Sequence, residues 1–244
     1  MKSENNKSVP LVVIKRLPRY YRYLGELLKQ GITRISSKHL SEKMGVTASQ
    51  IRQDLNCFGG FGQQGYGYKI ENLYHEIGEI LGLSRGYKTI IVGAGNLGHA
   101  LANHSNFEKR GFQLVGIFDN NPELVGTEIN HIAVSHVDDL EDFFRREGAD
   151  IAILALPKRS VKEVADRLIG LGIKGLWNFS YTDIDVPDNV AVENVHLSDS
   201  LMTLSYKITE RKESQRVKYR KEKQKKNRKF RYRRSAFVSG APSY

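Results

Sequence analysis

Apolar residues recur at helical spacing near the start of the chain: Leu11, Ile14 and Leu17, then Tyr20, Leu24, Leu27 and Leu28. Pro18 interrupts the run. The pattern predicts two helices or one kinked helix, with Pro18 in a first turn, closed by Gly31. A second helix starts at Ser36 or Ser37, buries Leu40 and Met44, and stops at Gly45. Thr47-Ala48-Ser49-Gln50 then reads as a capping box, in which the Thr hydroxyl and the Gln side chain each satisfy a free backbone amide. A third helix from Thr47 to about Cys57 turns Ile51 and Leu55 inward at i, i+4. The stretch FGGFGQQGYGY, residues 58–68, suits a tight β-hairpin rather than a helix. A further helix, about 71–82, leads to Gly82 and Gly86 at a domain boundary.

From Lys88 the pattern changes to short apolar runs alternating with amphipathic stretches. Residues 89–93, 112–118, 150–156 and 172–177 read as buried strands, and helices of roughly 96–107, 138–147 and 159–171 separate most of them. Such alternation predicts an α/β fold with a Rossmann-like, doubly wound parallel sheet and right-handed crossovers. Residues 197–210 form a last amphipathic helix, and the basic, aliphatic-poor stretch 211–244 is expected to be disordered. The expected domains are therefore 1–85, 86–196, the helix 197–210 and the tail 211–244.

Composition sharpens this division. The net charge of +11 is uneven: residues 1–85 hold 13 basic and 7 acidic side chains, 86–209 hold 11 and 17, and 210–244 hold 14 and 3. A basic head and tail point to polyanions, while the acidic middle does not. A single cysteine, Cys57, excludes an intrachain disulfide; as the last residue of the third helix it reads as a buried structural thiol. No apolar run reaches the roughly 18 residues of a membrane span, and MKSENNKS lacks a signal peptide's apolar core. A cytoplasmic protein is expected.

Two constellations carry chemistry. Gly93-Ala94-Gly95-Asn96-Leu97-Gly98 is a G-x-G-x-x-G placed after a strand and opening a helix. Its glycines permit the turn, the approach of a pyrophosphate, and close helix–strand packing. Asp119 ends the next strand about 20 residues on, where a carboxylate accepts ribose hydroxyls and disfavours a 2′-phosphate, so NAD(H) is the expected cofactor. The bland alternative is a Rossmann-like domain holding another nucleotide, such as coenzyme A, or none. Pro157 and Asn178, at strand ends, are weaker candidates for the nicotinamide side. The second constellation is the helix pair 36–45 and 47–57 with its glycine-rich hairpin, a winged helix-turn-helix. Ser49, Gln50, Arg52, Gln53 and Asn56 project from its second helix toward base edges and phosphates, with Ser37 at the start of the first. Gln64, Gly65 and Gly67 belong to the wing and its tip. The bland alternative is a helical oligomerisation module with a solvated polar face. The seven histidines show no metal spacing, and no catalytic triad or carboxylate pair stands out.

These residues together resemble a known family. RLPRYYRYL (16–24), residues 34–68, IVGAGNLGHALAN (91–103), GIFDNNPELVG (116–126), the strand 150–157 and KGLWNFS (174–180) are similar to the redox-sensing repressor Rex, over about 8–208. The resemblance implies a homodimer that exchanges its C-terminal helix, binds NAD(H) in its Rossmann domains, and recognises double-stranded, inverted-repeat operator DNA. In that family NADH weakens operator binding and NAD+ permits it. Two departures change the expectation. Gln53 and Gln64 stand where many members carry Lys and Arg, which predicts a more A·T-rich operator and a shallower salt dependence. Of the family's switch positions Arg22 is kept, but the Tyr and Asp partners are His104 and His196; two histidines there predict pH dependence near neutrality. The tail 211–244 lies beyond the resemblance and adds non-specific nucleic-acid contacts if it has a role. Competing readings are an NAD-dependent oxidoreductase with an appended helical domain, and a Rex-like paralogue that does not repress.

Overall fold

The computed structural model describes residues 9–59, 67–104 and 106–216. The chain divides into two compact units, one ending at Ile151 and one beginning at Ala152. The boundary expected near residue 85 falls inside the first.

The first unit opens with a helical head. Helix α1 (Leu11–Ile14) is followed by α2 (Leu17–Lys29), which carries Pro18 in its first turn and buries Leu17, Tyr20, Leu24 and Leu27. A short strand β1 (Arg34–Ile35) precedes α3 (Ser37–Met44). Ser36 caps α3 by accepting from the His39 N–H, and Gly45 ends it. Helix α4 (Ala48–Asn56) starts at Thr47, whose hydroxyl accepts from the Gln50 N–H at 3.1 Å. The reciprocal half of the expected capping box is absent, because the Gln50 side chain turns instead to Asp54. Strand β2 (Tyr68–Lys69) pairs antiparallel with β1, and α5 (Ile70–Ile80) follows. Most of the expected hairpin, including Gln64 and Gly65, lies outside the described residues. Its base is present: Gly67 has φ +69°, and a Cβ there would lie 2.6 Å from the Ile35 carbonyl oxygen. No other residue fits that approach.

Helices α2 and α5 pack through two reciprocal tyrosine–glycine contacts. The Tyr74 ring covers Gly25 and the Tyr21 ring covers Gly78, and the rings stack with centroids 4.1 Å apart. Burial, with the hydrogen bond that the Tyr21 hydroxyl donates to Tyr74, pushes the Tyr21 phenol up to about 12. Cys57 is exposed, not buried as expected, because α4 ends one residue before it and the cysteine follows the helix outward.

The rest of the first unit begins the Rossmann pattern. Strand β3 (Tyr87–Val92), helix α6 (Asn96–Ala102) and strand β4 (Phe112–Asp119) form a β-α-β element with β3 and β4 parallel. Strand β6 (Ile132–His136) adds parallel to β4, and the two-residue β5 (Glu128–Ile129) closes an antiparallel hairpin on it. This hairpin was not predicted, being too short and polar for a periodicity. Helix α6 is half its expected length, since the chain turns at Asn103 into a 3-10 turn at Glu108–Arg110. Helix α7 (Leu140–Arg146) and the start of β7 (Ile151–Leu154) complete the unit. There the Asp150 N–H donates to the Lys88 carbonyl and its carboxylate accepts from the Lys88 N–H.

In the second unit, α8 (Lys158–Gly170) separates β7 from β8 (Gly175–Asn178), and β8 pairs parallel with β9 (Ala191–Asn194), a strand the sequence pattern does not announce. Helix α9 spans 197–216, past the predicted end at 210, and is exposed almost throughout. Among the described residues, no helix is long and apolar enough to cross a membrane.

The head is organised around one buried carboxylate. Asp54 is 1% exposed. Arg16, between α1 and α2, grips it through Nε and Nη2, both at 2.6 Å, while the Tyr20 hydroxyl donates at 2.7 Å and the Gln50 amide at 2.9 Å. Burial by itself raises the Asp54 pKa, but hydrogen bonds from Arg16, Tyr20 and Gln50 outweigh it and hold the carboxyl below its usual value. Burial and the Asp54 bond push the Tyr20 phenol well above its usual range. A depressed carboxylate stabilises the fold above its unfolded-state pKa, near ~4, and loses that contribution as pH falls through the folded value. Asp54→Ala should therefore cost about 3 kcal/mol at neutral pH, where Arg16 loses its partner. In chemical denaturation the gap between wild type and variant should narrow below about pH 4; a constant gap across pH 3–7 contradicts this account.

Candidate functional site

Two sets of predicted residues lie in the first unit. The first is the outer face of α4. Its inward positions Ile51, Asp54 and Leu55 are buried, and that leaves Ser49, Arg52, Gln53 and Asn56 exposed along one side, with Gln50 half-buried at its edge. Arg52 Nη1 donates to Ser37 Oγ at 3.0 Å, so the first residue of α3 orients the guanidinium. This links two predicted residues on the two helices of the helix-turn-helix. Such a face donates from Arg52, accepts through the Gln50 carbonyl oxygen, whose amide nitrogen is given to Asp54, and both donates and accepts through the amides of Gln53 and Asn56, which is the chemistry of base edges and phosphates. Asp54 was missed as the residue that orients this face. Its spacing three after Ile51 and four after Gln50 was the available signal, and it reads equally well as a polar surface position.

The second set is the glycine loop. The Gly93 N–H donates to the Phe118 carbonyl at 2.8 Å, which continues the β3–β4 ladder to the strand ends. A Cβ on Gly98 would stand 1.8 Å from the Gly93 carbonyl oxygen, so this glycine brings α6 directly onto the loop. Gly95 differs: a Cβ there meets nothing within 4 Å. Its open side, with no side chain capping α6, fits the close approach of a phosphate to backbone amides. Asn96 is exposed and Leu97 half-buried beside it, while Ala94 is buried. Asp119, half-buried at the end of β4, accepts from the Ala94 N–H at 2.6 Å and from the Asn121 N–H at 2.8 Å. Its carboxylate thus braces the loop as well as standing where a ribose hydroxyl would donate. These residues suit a dinucleotide bound through its pyrophosphate and ribose.

The weaker candidates lie in the second unit. Pro157 is exposed at the N-cap of α8. Asn178 is fully buried; its amide nitrogen donates to the Thr182 carbonyl and to Asn194 Oδ1, both at 2.7 Å, and its oxygen accepts from the Ser180 N–H. Two of these bonds close the loop that follows β8, and the third joins the end of β8 to the end of β9. Of the switch positions, Arg22 is exposed on α2, His104 is exposed with its ring edge-on to Phe107, and His196 in the second unit bonds Asp183 Oδ1 at 2.9 Å. Among the described residues, no group of three His, Cys, Asp or Glu side chains could hold a metal ion.

Comparison with known proteins agrees with both constellations. A family model described as "Putative DNA-binding protein N-terminus" matches residues 8–56, and one described as "CoA binding domain" matches residues 84–182. The redox-sensing transcriptional repressor Rex of Thermoanaerobacter sp. (strain X514) is 60% identical over 202 residues, 83% of this chain and 90% of that protein. Rex of Clostridium perfringens (strain SM101 / Type A) is 55% identical over 203 residues, 83% of this chain and 96% of that one. Among solved structures, RSP in complex with β-NAD+ and operator DNA has a TM-score of 0.79 and 58% identity, covering 87% of this chain and 98% of RSP. RSP in complex with β-NADH has a TM-score of 0.80 at 55% identity, with 87% and 100% covered. With such identity across nearly the whole of its relatives, spanning both the helix pair and the glycine loop, the chain belongs to the Rex family of redox-sensing transcriptional repressors.

Proposed function

We propose that this protein represses transcription by binding an inverted-repeat operator as a homodimer and leaves it when NADH occupies the glycine-loop site. The observation that carries this reading is the 58% identity to RSP across 98% of that chain, a protein crystallised with β-NAD+ and operator DNA together. In this reading α4 enters the major groove, Arg52 donates to a guanine or phosphate, and Ser49, Gln50, Gln53 and Asn56 complete the contact. The wing, with Gln64, Gly65 and Gly67, follows the adjacent groove. Gly93 to Gly98 hold the pyrophosphate of NAD(H) and Asp119 its ribose. The neutral Gln53 and Gln64 favour A·T-rich sites. Coenzyme A, named by the family model, is disfavoured because RSP was crystallised with β-NAD+ and with β-NADH.

Dimer formation is supported by α9. Leu197, Leu201, Leu204 and Ile208 repeat at spacings of four, three and four and are 58%, 68%, 51% and 48% exposed. An apolar stripe of that extent calls for a protein partner, and a second copy of this helix region supplies one. Arg22, His104 and His196 are proposed to transmit the cofactor state. The basic residues of 211–244 are proposed to add sequence-independent phosphate contacts, and the site of action is the cytoplasm, with the operator.

Four measurements test this reading. In gel shifts with an inverted-repeat operator, NADH should release the DNA and NAD+ should not. Operator should in turn weaken NADH binding by the same factor, since the coupling is reciprocal. Gly98→Ala drives a methyl into the Gly93 carbonyl and should cost about 1–3 kcal/mol. Well below its melting temperature it should still bind operator but ignore NADH; an unchanged NADH response rejects the assigned loop. Truncation after Glu210 removes 14 basic and 2 acidic residues and should flatten the salt dependence of binding to non-operator duplex. Equal slopes reject a nucleic-acid role for the tail.

A further inference from the structure

We propose that Asp54 fixes the polarity of the Gln50 carboxamide, so that Gln50 turns its carbonyl oxygen to the operator and selects bases with an exocyclic amine, adenine or cytosine, over guanine or thymine at the position it faces. This rests on the reading of α4 as the helix that enters the major groove.

An ionised carboxylate only accepts hydrogen bonds and offers about four lone-pair sites. Those of Asp54 are all in use: Oδ1 receives Arg16 Nη2 at 2.6 Å and Gln50 Nε2 at 2.9 Å, and Oδ2 receives Arg16 Nε at 2.6 Å and the Tyr20 hydroxyl at 2.7 Å. Reversing the Gln50 amide would set its oxygen lone pairs against a buried carboxylate with no proton between them. The amide therefore has one orientation before DNA arrives. Its nitrogen faces the protein, and its Oε1, on the other branch of the planar group, faces away from Asp54.

The rest of the residue is held as firmly. Gln50 is the third residue of α4, and its own N–H donates to the Thr47 hydroxyl at 3.1 Å. The carboxylate stays charged at neutral pH, because Arg16, Tyr20 and Gln50 together keep it below its usual range despite burial.

A free glutamine reads bases ambiguously, since either end of its amide can face the groove. An oriented one presents an acceptor. In the major groove the amines of adenine N6 and cytosine N4 donate, whereas guanine O6 and thymine O4 accept and would meet Oε1 lone pair to lone pair. Arg52, two residues on along the same helix and held by Ser37, supplies the opposite polarity. The helix thus offers an acceptor and a donor, each set by a contact inside the protein.

Operators selected from a randomised inverted-repeat pool with the full chain, then varied one base pair at a time, test the proposal. One position per half-site should favour A or C over G or T by about tenfold or more. Gln50→Met should flatten that position alone. Asp54→Asn, whose side chain can donate as well as accept, should lose the preference between amine and carbonyl bases there. Because that variant also loses stability, the amide of Gln50 in the free wild-type chain gives an independent reading by NMR. Its two protons should be widely separated in shift and slow to exchange. A G or T preference at the Gln50 position, a Gln50→Met profile identical to wild type, or Gln50 amide protons like those of an exposed glutamine each overturns the proposal. Absence of any specific operator overturns the repressor reading with it; the NMR signature of the Asp54–Gln50 bond is then still observed, which tells that failure apart from a freely rotating amide.

Discussion

A charged group taken out of water costs several kcal/mol unless partners replace its hydration. In the head of this protein that constraint falls on Asp54, and it explains why the surrounding residues are what they are. The carboxylate needs donors on both oxygens, and they come from three directions: Arg16 at the α1–α2 junction, Tyr20 one turn into α2, and Gln50 one turn before it on α4. Apolar packing of Ile51 and Leu55 would hold α4 against the core at many nearly equivalent rotations. A bidentate guanidinium–carboxylate pair does not tolerate such rotation. The same bond therefore satisfies the buried charge and sets which residues of α4 face outward.

The glycine loop solves a related problem with backbone rather than side chains. Asp119 is also a carboxylate that organises its surroundings by accepting, here from the amides of Ala94 and Asn121. It ties the end of β4 to the loop that follows β3 and leads into α6. Gly98 makes that closure sterically possible, while Gly95 leaves its outer side open. In the head, side-chain hydrogen bonds preorganise side chains; in the loop, a side chain preorganises amides. Each suits its ligand, since base edges are read by side chains and phosphates are cradled by N–H groups.

What the sequence discloses follows the range of the forces involved. Helix starts at Ser36 and Thr47 and the stop at Gly45 were legible, because a cap is made by residues three or four apart. The parallel β-α-β element was legible from its apolar runs and glycine spacing. The bond between Asp54 and Arg16 spans 38 residues, and nothing local marks it; at helical spacing, Asp54 passes for a solvated position. Gln50 was placed correctly beside Thr47 but given the wrong side-chain partner, since its backbone is capped locally while its amide answers to a buried charge. Cys57 was misplaced because burial depends on where the helix ends, to within one residue. Strands β5 and β9 escaped because they are short and paired at an edge, where periodicity is weakest. Asn178 is a polar residue at a strand end whose three hydrogen bonds go to its own loop, at Ser180 and Thr182, and to Asn194 at the end of β9.

The charge pattern acquires a different meaning once the head is seen as preorganised. Residues 1–85 carry a net charge of +6, enough to attract DNA, yet attraction to phosphates is blind to sequence. At position 53 this chain places an exposed amide rather than a cation, so one charge that would have strengthened binding to any duplex is given to a group that can discriminate bases. Neighbouring Arg52 keeps its charge but is tethered to Ser37, which restricts the directions in which it can donate. Fewer mobile cations and more oriented polar groups lower affinity for random DNA faster than affinity for a matched site. Two polar groups of this helix are thus oriented inside the protein, Gln50 by Asp54 and Arg52 by Ser37, independently of any DNA.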